Sequence, residues 1–156
     1  EDIYPADDEP ALNPRVAKLA DDMISLDEEV KEIEILDEAG KPLLAGEKDR
    51  RYFEGPWVHK HKDKYYFSYS TGETHKIVYA TGDSPYGPFT YQGVILEPVL
   101  GWTTHHSIAQ FEDKWYLFYH DCMLSGGQTH LRNIKMTELL HDEDGSITTI
   151  NPYYNS

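Results

Sequence analysis

Cysteine occurs once in the 156 residues, at Cys122, so no intrachain disulfide can form and no cysteine cluster can hold zinc. Long apolar runs are missing as well: no stretch approaches the roughly 20 residues of a membrane-spanning helix, and nothing at the start reads as a signal peptide. Positive charge is scarce. Fourteen Lys and Arg face 28 Asp and Glu, and the net charge of -14 argues against nucleic acid or an anionic membrane as partner. A lone thiol suits either redox compartment, which leaves secreted and cytoplasmic locations equally open. The chain opens on Glu1 rather than Met, as expected of a processed, trimmed or truncated piece.

The residues that are abundant are more informative. The length suits one domain with its own core. Of the residues, 39% are hydrophobic and 13% aromatic, and twelve are Tyr, whose large apolar ring and hydroxyl suit sheet surfaces and sugar-facing clefts alike. The acidic residues concentrate in 1–10 and 21–38, which reads as a solvated face.

Alternating patterns dominate the chain. Residues 15–19 and 30–36 alternate like strands, 23–26 extends the first or begins another, and a short amphipathic helix over 21–33 is the competing reading. Next comes an internal repeat. Lys64-Tyr65-Tyr66-Phe67-Ser68-Tyr69 and Lys114-Trp115-Tyr116-Leu117-Phe118-Tyr119 lie 114 − 64 = 50 residues apart, each preceded by an acidic turn residue, Asp63 or Asp113. Each unit opens on a strand, continues through a third at 75–80 or 130–136, and closes on a fourth at 89–96 or 146–150. Four short antiparallel strands recurring at such a period predict propeller blades. The expected organisation is the end of a preceding blade plus linker over 1–48, one blade over 49–98 and a last blade over 99–156. Strands at 15–36 would be the final two of the earlier blade, making about two and a half blades in all.

In a propeller the first strand of each blade lines the axis, so the axial mouths fall near Glu54 and His105. Pro56 restricts Glu54-Gly55-Pro56 to the start or free edge of a strand, where a carboxylate can project into a cavity; a salt bridge or solvated strand end is the competing reading. His105 and His106, adjacent on a strand, would point to opposite faces, so at most one lines the axis, to hold a metal or water or to touch a substrate hydroxyl. Arg132, read as mid-strand, could hold a carboxylate or sugar hydroxyl, or a cross-strand ion pair. Trp57 and Trp102 flank the mouths and could stack on a sugar, or serve as core.

The runs Phe53-Glu54-Gly55-Pro56-Trp57, Lys64 to Gly72, Tyr79-Ala80-Thr81, Ser84-Pro85-Tyr86-Gly87-Pro88-Phe89 and Gly101-Trp102-Thr103-Thr104-His105-His106-Ser107 resemble glycoside hydrolase family 43 in order, from about residue 10 to 150. That resemblance implies an all-β, partial five-bladed β-propeller of an inverting glycosidase acting on xylan or arabinan glycosides, of β-xylosidase or α-L-arabinofuranosidase type. It implies that Glu54 is the general acid, that His105 holds a metal, usually calcium, directly or through water, and that Arg132 is the active-site arginine. Inversion needs a second carboxylate to activate water across the sugar. The family's base and tuning aspartates are each typically followed by Pro, and this chain contains no Asp-Pro. The expectation is therefore the acid-bearing C-terminal half, weakly active or inactive until completed by an N-terminal half or by self-association, with a pentose-containing oligosaccharide or polysaccharide as substrate. Asp21, Asp22 and Asp121 are the acids available to replace the base, in contexts that do not match it. A non-catalytic carbohydrate-binding fragment is the alternative.

Overall fold

The computed structural model describes residues 4–101 and 105–153. Among these there are ten strands, no α-helix, and one short 3-10 turn at Met123–Ser125. The acidic stretch 21–33 is therefore not helical. Of its neighbours, β1 (Arg15–Val16) pairs antiparallel with β2 (Lys31–Glu32) in a small separate sheet, while Met23 to Leu26 forms a turn closed by a Leu19–Leu26 bridge.

The central sheet has five strands: β3 (Ile35–Leu36), β4 (Glu54–His61), β5 (Lys64–Ser70), β6 (Ile77–Gly82) and β7 (Phe89–Leu96), in the order β3-β7-β6-β5-β4. The last four form an antiparallel meander of the kind that builds a propeller blade. β3 runs parallel to β7 on the outer edge, so the 30–36 segment is divided between the small sheet and this one. β8 (Ser107–Phe111), β9 (Lys114–Asp121) and β10 (Asn133–Leu139) form the second, three-stranded sheet. The expected fourth strand over 146–150 forms only bridges, His141 to Ile147 and, parallel, Ile150 to Leu96. Its backbone bonds on both sides: to the first blade, through Ile150 N to Ile95 O at 2.8 Å and Glu97 N to Ile150 O at 3.0 Å, and to the chain just beyond β10, through Thr148 N to Leu140 O at 3.0 Å and Asp142 N to Ser146 O at 2.8 Å.

Period-two alternation explains why the middle of the first blade is so uniformly apolar. Tyr66, Ile77 and Tyr79 face one side and join Ile95, Ile108, Leu117, Tyr119 and Leu139 in a core between the two sheets. Phe67, Tyr69, Val78 and Ala80 face the other side, against Ile33, Ile35, Leu43 and Phe89. The sheet is covered twice, so β5 and β6 read as nearly continuous hydrophobic runs. The repeat extends to the backbone: Lys62 (φ 52) and Glu112 (φ 53) occupy the same left-handed position in the two hairpins.

Polar contacts across the seam fix how the sheets meet. Trp57 Nε1 donates to Ile108 O at 3.0 Å, His106 Nε2 meets Ser68 Oγ at 2.7 Å, Tyr66 Oη donates to Gly145 O at 2.8 Å, and Tyr79 Oη accepts from Ile147 N at 2.9 Å. Among the described residues, the β10 part of the second sheet's opposite side is exposed. Phe118 and Tyr116 share that face with Ile134 and Met136, of which Ile134 is 83% exposed.

Phe53 leads into β4 and is held by Gly72, which turns at φ +72 just beyond β5; a Cβ there would stand 2.4 Å from Phe53 Cγ. Gly72→Ala is expected to lower stability by about 2–4 kcal/mol, combining backbone strain with overpacking against an aromatic ring. Chemical denaturation measures this, and an unchanged midpoint would contradict the packing described.

Candidate active site

Glu54 is the first residue of β4, and the local sequence explains its placement. It pairs with Ser70, after which the register slips before Trp57 pairs with Ser68. Gly55 adopts φ +66 and Pro56 has no N–H to give a ladder, so the two residues form the irregularity that turns Glu54 at the strand mouth. A Cβ on Gly55 would stand 3.2 Å from His105 Cδ2. The glycine is thus what lets the histidine approach from the second sheet.

The approach brings His105 Nε2 to 3.9 Å from Glu54 Oε2, with the carboxylate side chain one-third and the imidazole one-half exposed. The other carboxylate oxygen, Oε1, is buried and has no protein hydrogen-bond partner. Tyr52, just upstream, has its hydroxyl pKa raised by burial and then by the charge of Glu54. His105 N–H donates to His120 Nε2 at 3.3 Å, and the two rings lie nearly parallel with centroids 6.5 Å apart. Burial, then the Arg132 and His105 charges, hold His120 below the usual histidine range.

The remaining predicted residues are placed differently from one another. Arg132 is not mid-strand: it is exposed, just ahead of β10, with Nε donating to Thr129 O at 3.1 Å. Its charge reaches the site through its effect on His120. Trp57 is 37% exposed and its indole N–H is spent on the seam. Trp102 lies outside the described residues. His106 turns inward to Ser68, and burial pushes its imidazole down to about 3. Asp121 is buried, accepting from Asn133 Nδ2 at 2.5 Å and Met123 N at 3.1 Å, with Lys135 Nζ 3.7 Å away. Asp22 is exposed and caps its own turn through Ile24 N and Ser25 N.

Sequence reasoning passed over His120 and Ser68. The alternation of β9 sets His120 on the same face as Tyr116 and Phe118, and that of β5 sets Ser68 with Tyr66, so the period was available as a signal; the partners, 15 and 38 residues distant, were not. A depression of about 960 Å³, lined by Leu12, Asn13, Arg51, Tyr52 and Phe53 among others, does not include Glu54.

An antiparallel four-stranded meander packed along a seam against a second antiparallel sheet is the arrangement of neighbouring propeller blades. The chain belongs to the glycosyl hydrolases family 43, whose model matches residues 7–147. A xylosidase/arabinosidase of Bacteroides ovatus is 60% identical over 148 residues, 95% of this chain and 46% of that protein. Another, from Humicola insolens, is 64% identical over 143 residues, 91% of this chain and 44% of that one. A GH43_1 enzyme from Xanthomonas citri, solved with xylose, superposes with a TM-score of 0.95 at 65% identity, over 97% of this chain and 45% of that one. A β-xylosidase/α-arabinofuranosidase from a compost metagenome, solved with xylotriose in a calcium-free form, superposes at 0.94 with 65% identity, over 96% and 45%. The chain therefore spans less than half the length of these relatives, and its all-β fold is part of a five-bladed propeller.

Calcium takes six to eight oxygen ligands. Among the described residues no three His, Cys, Asp or Glu gather into a metal-binding group, and His105 offers a nitrogen. The residues present do not by themselves fit calcium.

The inward histidine gives a pH test. Its folded pKa lies below the unfolded value near 6.5, so the unfolded chain takes up a proton that the fold refuses between about pH 6.5 and 3. Stability from this group is complete above that window and is lost as pH falls through it, at up to about 1.4 kcal/mol per pH unit. Denaturation at pH 7, 6 and 5 should show His106→Gln removing about that much of the slope; an unchanged slope would contradict burial of the neutral ring.

Proposed function

We propose that this chain is the acid-bearing C-terminal half of an inverting glycoside hydrolase acting on xylan- or arabinan-type glycosides, of β-xylosidase or α-L-arabinofuranosidase type. The observation that carries the reading is Glu54: one oxygen buried without a partner at the axial mouth, the other 3.9 Å from His105. The activities of the relatives, xylosidase and arabinosidase, and the sugars bound in their structures, xylose and xylotriose, support the substrate class.

In this reading Glu54 gives its proton to the departing glycosidic oxygen; Oε1 is enclosed by the protein, so the oxygen on the His105 side, Oε2, is the one a sugar can reach. A second carboxylate must activate water on the opposite face of the sugar, about 6.5–9.5 Å from the acid. Asp121 is engaged by Asn133 and Lys135, and Asp22 by its own turn, so neither is free for that task. The base belongs to the blades this chain does not contain. The uncovered apolar face with Ile134 and Met136 is suited to pack against such a blade. Self-association would cover the same face while supplying a second Glu54 and no matched base. His105 would be calcium's one contact here, with water and groups outside the chain completing the shell. Arg132, Trp57 and Trp102 are proposed to contact sugar.

Leaving groups test the role of Glu54. Nitrophenol departs with little protonation, whereas a sugar needs the acid. In the protein completed by an N-terminal half, Glu54→Gln should lower turnover of xylobiose or an arabinoxylan oligosaccharide by about 10²–10⁴-fold and of the nitrophenyl glycoside far less. Equal losses on both substrates would contradict acid catalysis. The chain alone should fall below the completed protein by a factor of the same order, for want of the base; full activity in the folded chain alone would contradict the half-site reading.

A further inference from the structure

Along β4, five residues beyond Glu54 and so roughly 15 Å from it, the seam holds a second cluster that the glycosidase reading does not use. His59 Nε2 and His141 Nε2, one on the first blade and the other beyond β10, stand 3.0 Å apart. Tyr66 stacks on His59 with centroids 4.9 Å apart, Trp115 lies at 5.0 Å from it, and His61 stacks face to face on His141 at 4.1 Å. His59 is buried, while His61 and His141 are partly exposed and open the cluster to solvent.

Two imidazole nitrogens pointing at each other share one proton when both rings are neutral. Both Nε2 lone pairs become available to a borderline divalent ion when that proton moves to an Nδ1, and imidazole is a preferred ligand of zinc, copper and nickel. Metal–nitrogen bonds of about 2.0–2.1 Å in tetrahedral geometry set the nitrogens about 3.3 Å apart with both lone pairs aimed at the ion, so the rings must turn as well as part by a few tenths of an ångström. We infer that His59 and His141 form a two-nitrogen site for Zn²⁺, Cu²⁺ or Ni²⁺ that clamps the two sheets together, with water filling the remaining positions.

The surroundings set the strength of the site. Neither Nδ1 has a protein partner, so the outer hydrogen bonds that orient histidines in tight metal centres are missing. His61, parallel to His141, shields the opening rather than adding a third nitrogen in the same plane. Affinity well below that of four-ligand zinc sites follows, with no affinity for calcium, which prefers oxygen.

The test uses the whole chain with the metal salts alone and does not require catalysis. Saturating Ni²⁺ or Zn²⁺ at pH 7 should raise Tm by about 5 °C, while Ca²⁺ and Mg²⁺ should not. His141→Asn should abolish the rise, and His105→Ala should keep it. The Cu²⁺ spin-resonance spectrum should show coupling to two nitrogens in the native chain, reduced to one in His141→Asn or, if that variant folds poorly, in His59→Gln. A Tm indifferent to these metals, or a rise and a spectrum unaltered by the substitutions, would overturn the site.

Discussion

The seam between the two sheets is the constraint on which the site depends. Glu54 and His105 come from different sheets, and neither sheet alone brings a histidine to a carboxylate. What holds them together is a shared apolar core, Tyr66, Ile77 and Tyr79 against Ile108, Leu117 and Leu139, with polar bonds at defined points along it. Each bond to a buried polar group matters twice, as a gain of about 1 kcal/mol when made and as a desolvation penalty when lost. The Trp57 to Ile108 and Ser68 to His106 bonds therefore fix the register of one sheet on the other, and the 146–150 segment strengthens the joint by bonding back to β7.

The irregularity at Gly55-Pro56 converts that joint into a site. A regular strand would keep its ladder to the end and fill the space where His105 stands. The glycine supplies a positive φ and no side chain, the proline interrupts the ladder between the Glu54 and Trp57 pairs, and the carboxylate is left with one oxygen toward the histidine and the other without a protein partner. A buried acceptor without a protein partner is costly in a purely structural role.

Much of the fold was legible in residues 49–121, because the alternation, the Lys-aromatic repeat and the turn residues all point to the same strands. The start of β4 at Glu54 followed from Pro56 alone. Residues 15–36 and 146–150 were read less well: their alternation promised strands but carried no information on partners, and the structure splits the first between two sheets and divides the second between the end of β7 and the chain just beyond β10. Arg132 was misplaced by its apolar neighbours, since Leu131 is exposed in the loop and the strand begins only at Asn133. At the site, Glu54 and the histidine pair were visible as residues; that His105 faces the carboxylate while His106 turns to Ser68 is set by a contact across the seam, which no local pattern encodes.

The most direct test of the account is a crystal structure of the completed protein, with Glu54→Gln to stop turnover, bound to xylotriose. The account predicts that the side chain of residue 54 lies within about 2.6–3.2 Å of a glycosidic oxygen, with His105 beside it. A trisaccharide bound with that side chain beyond reach of every glycosidic oxygen, or bound away from the mouth of β4 altogether, would contradict it.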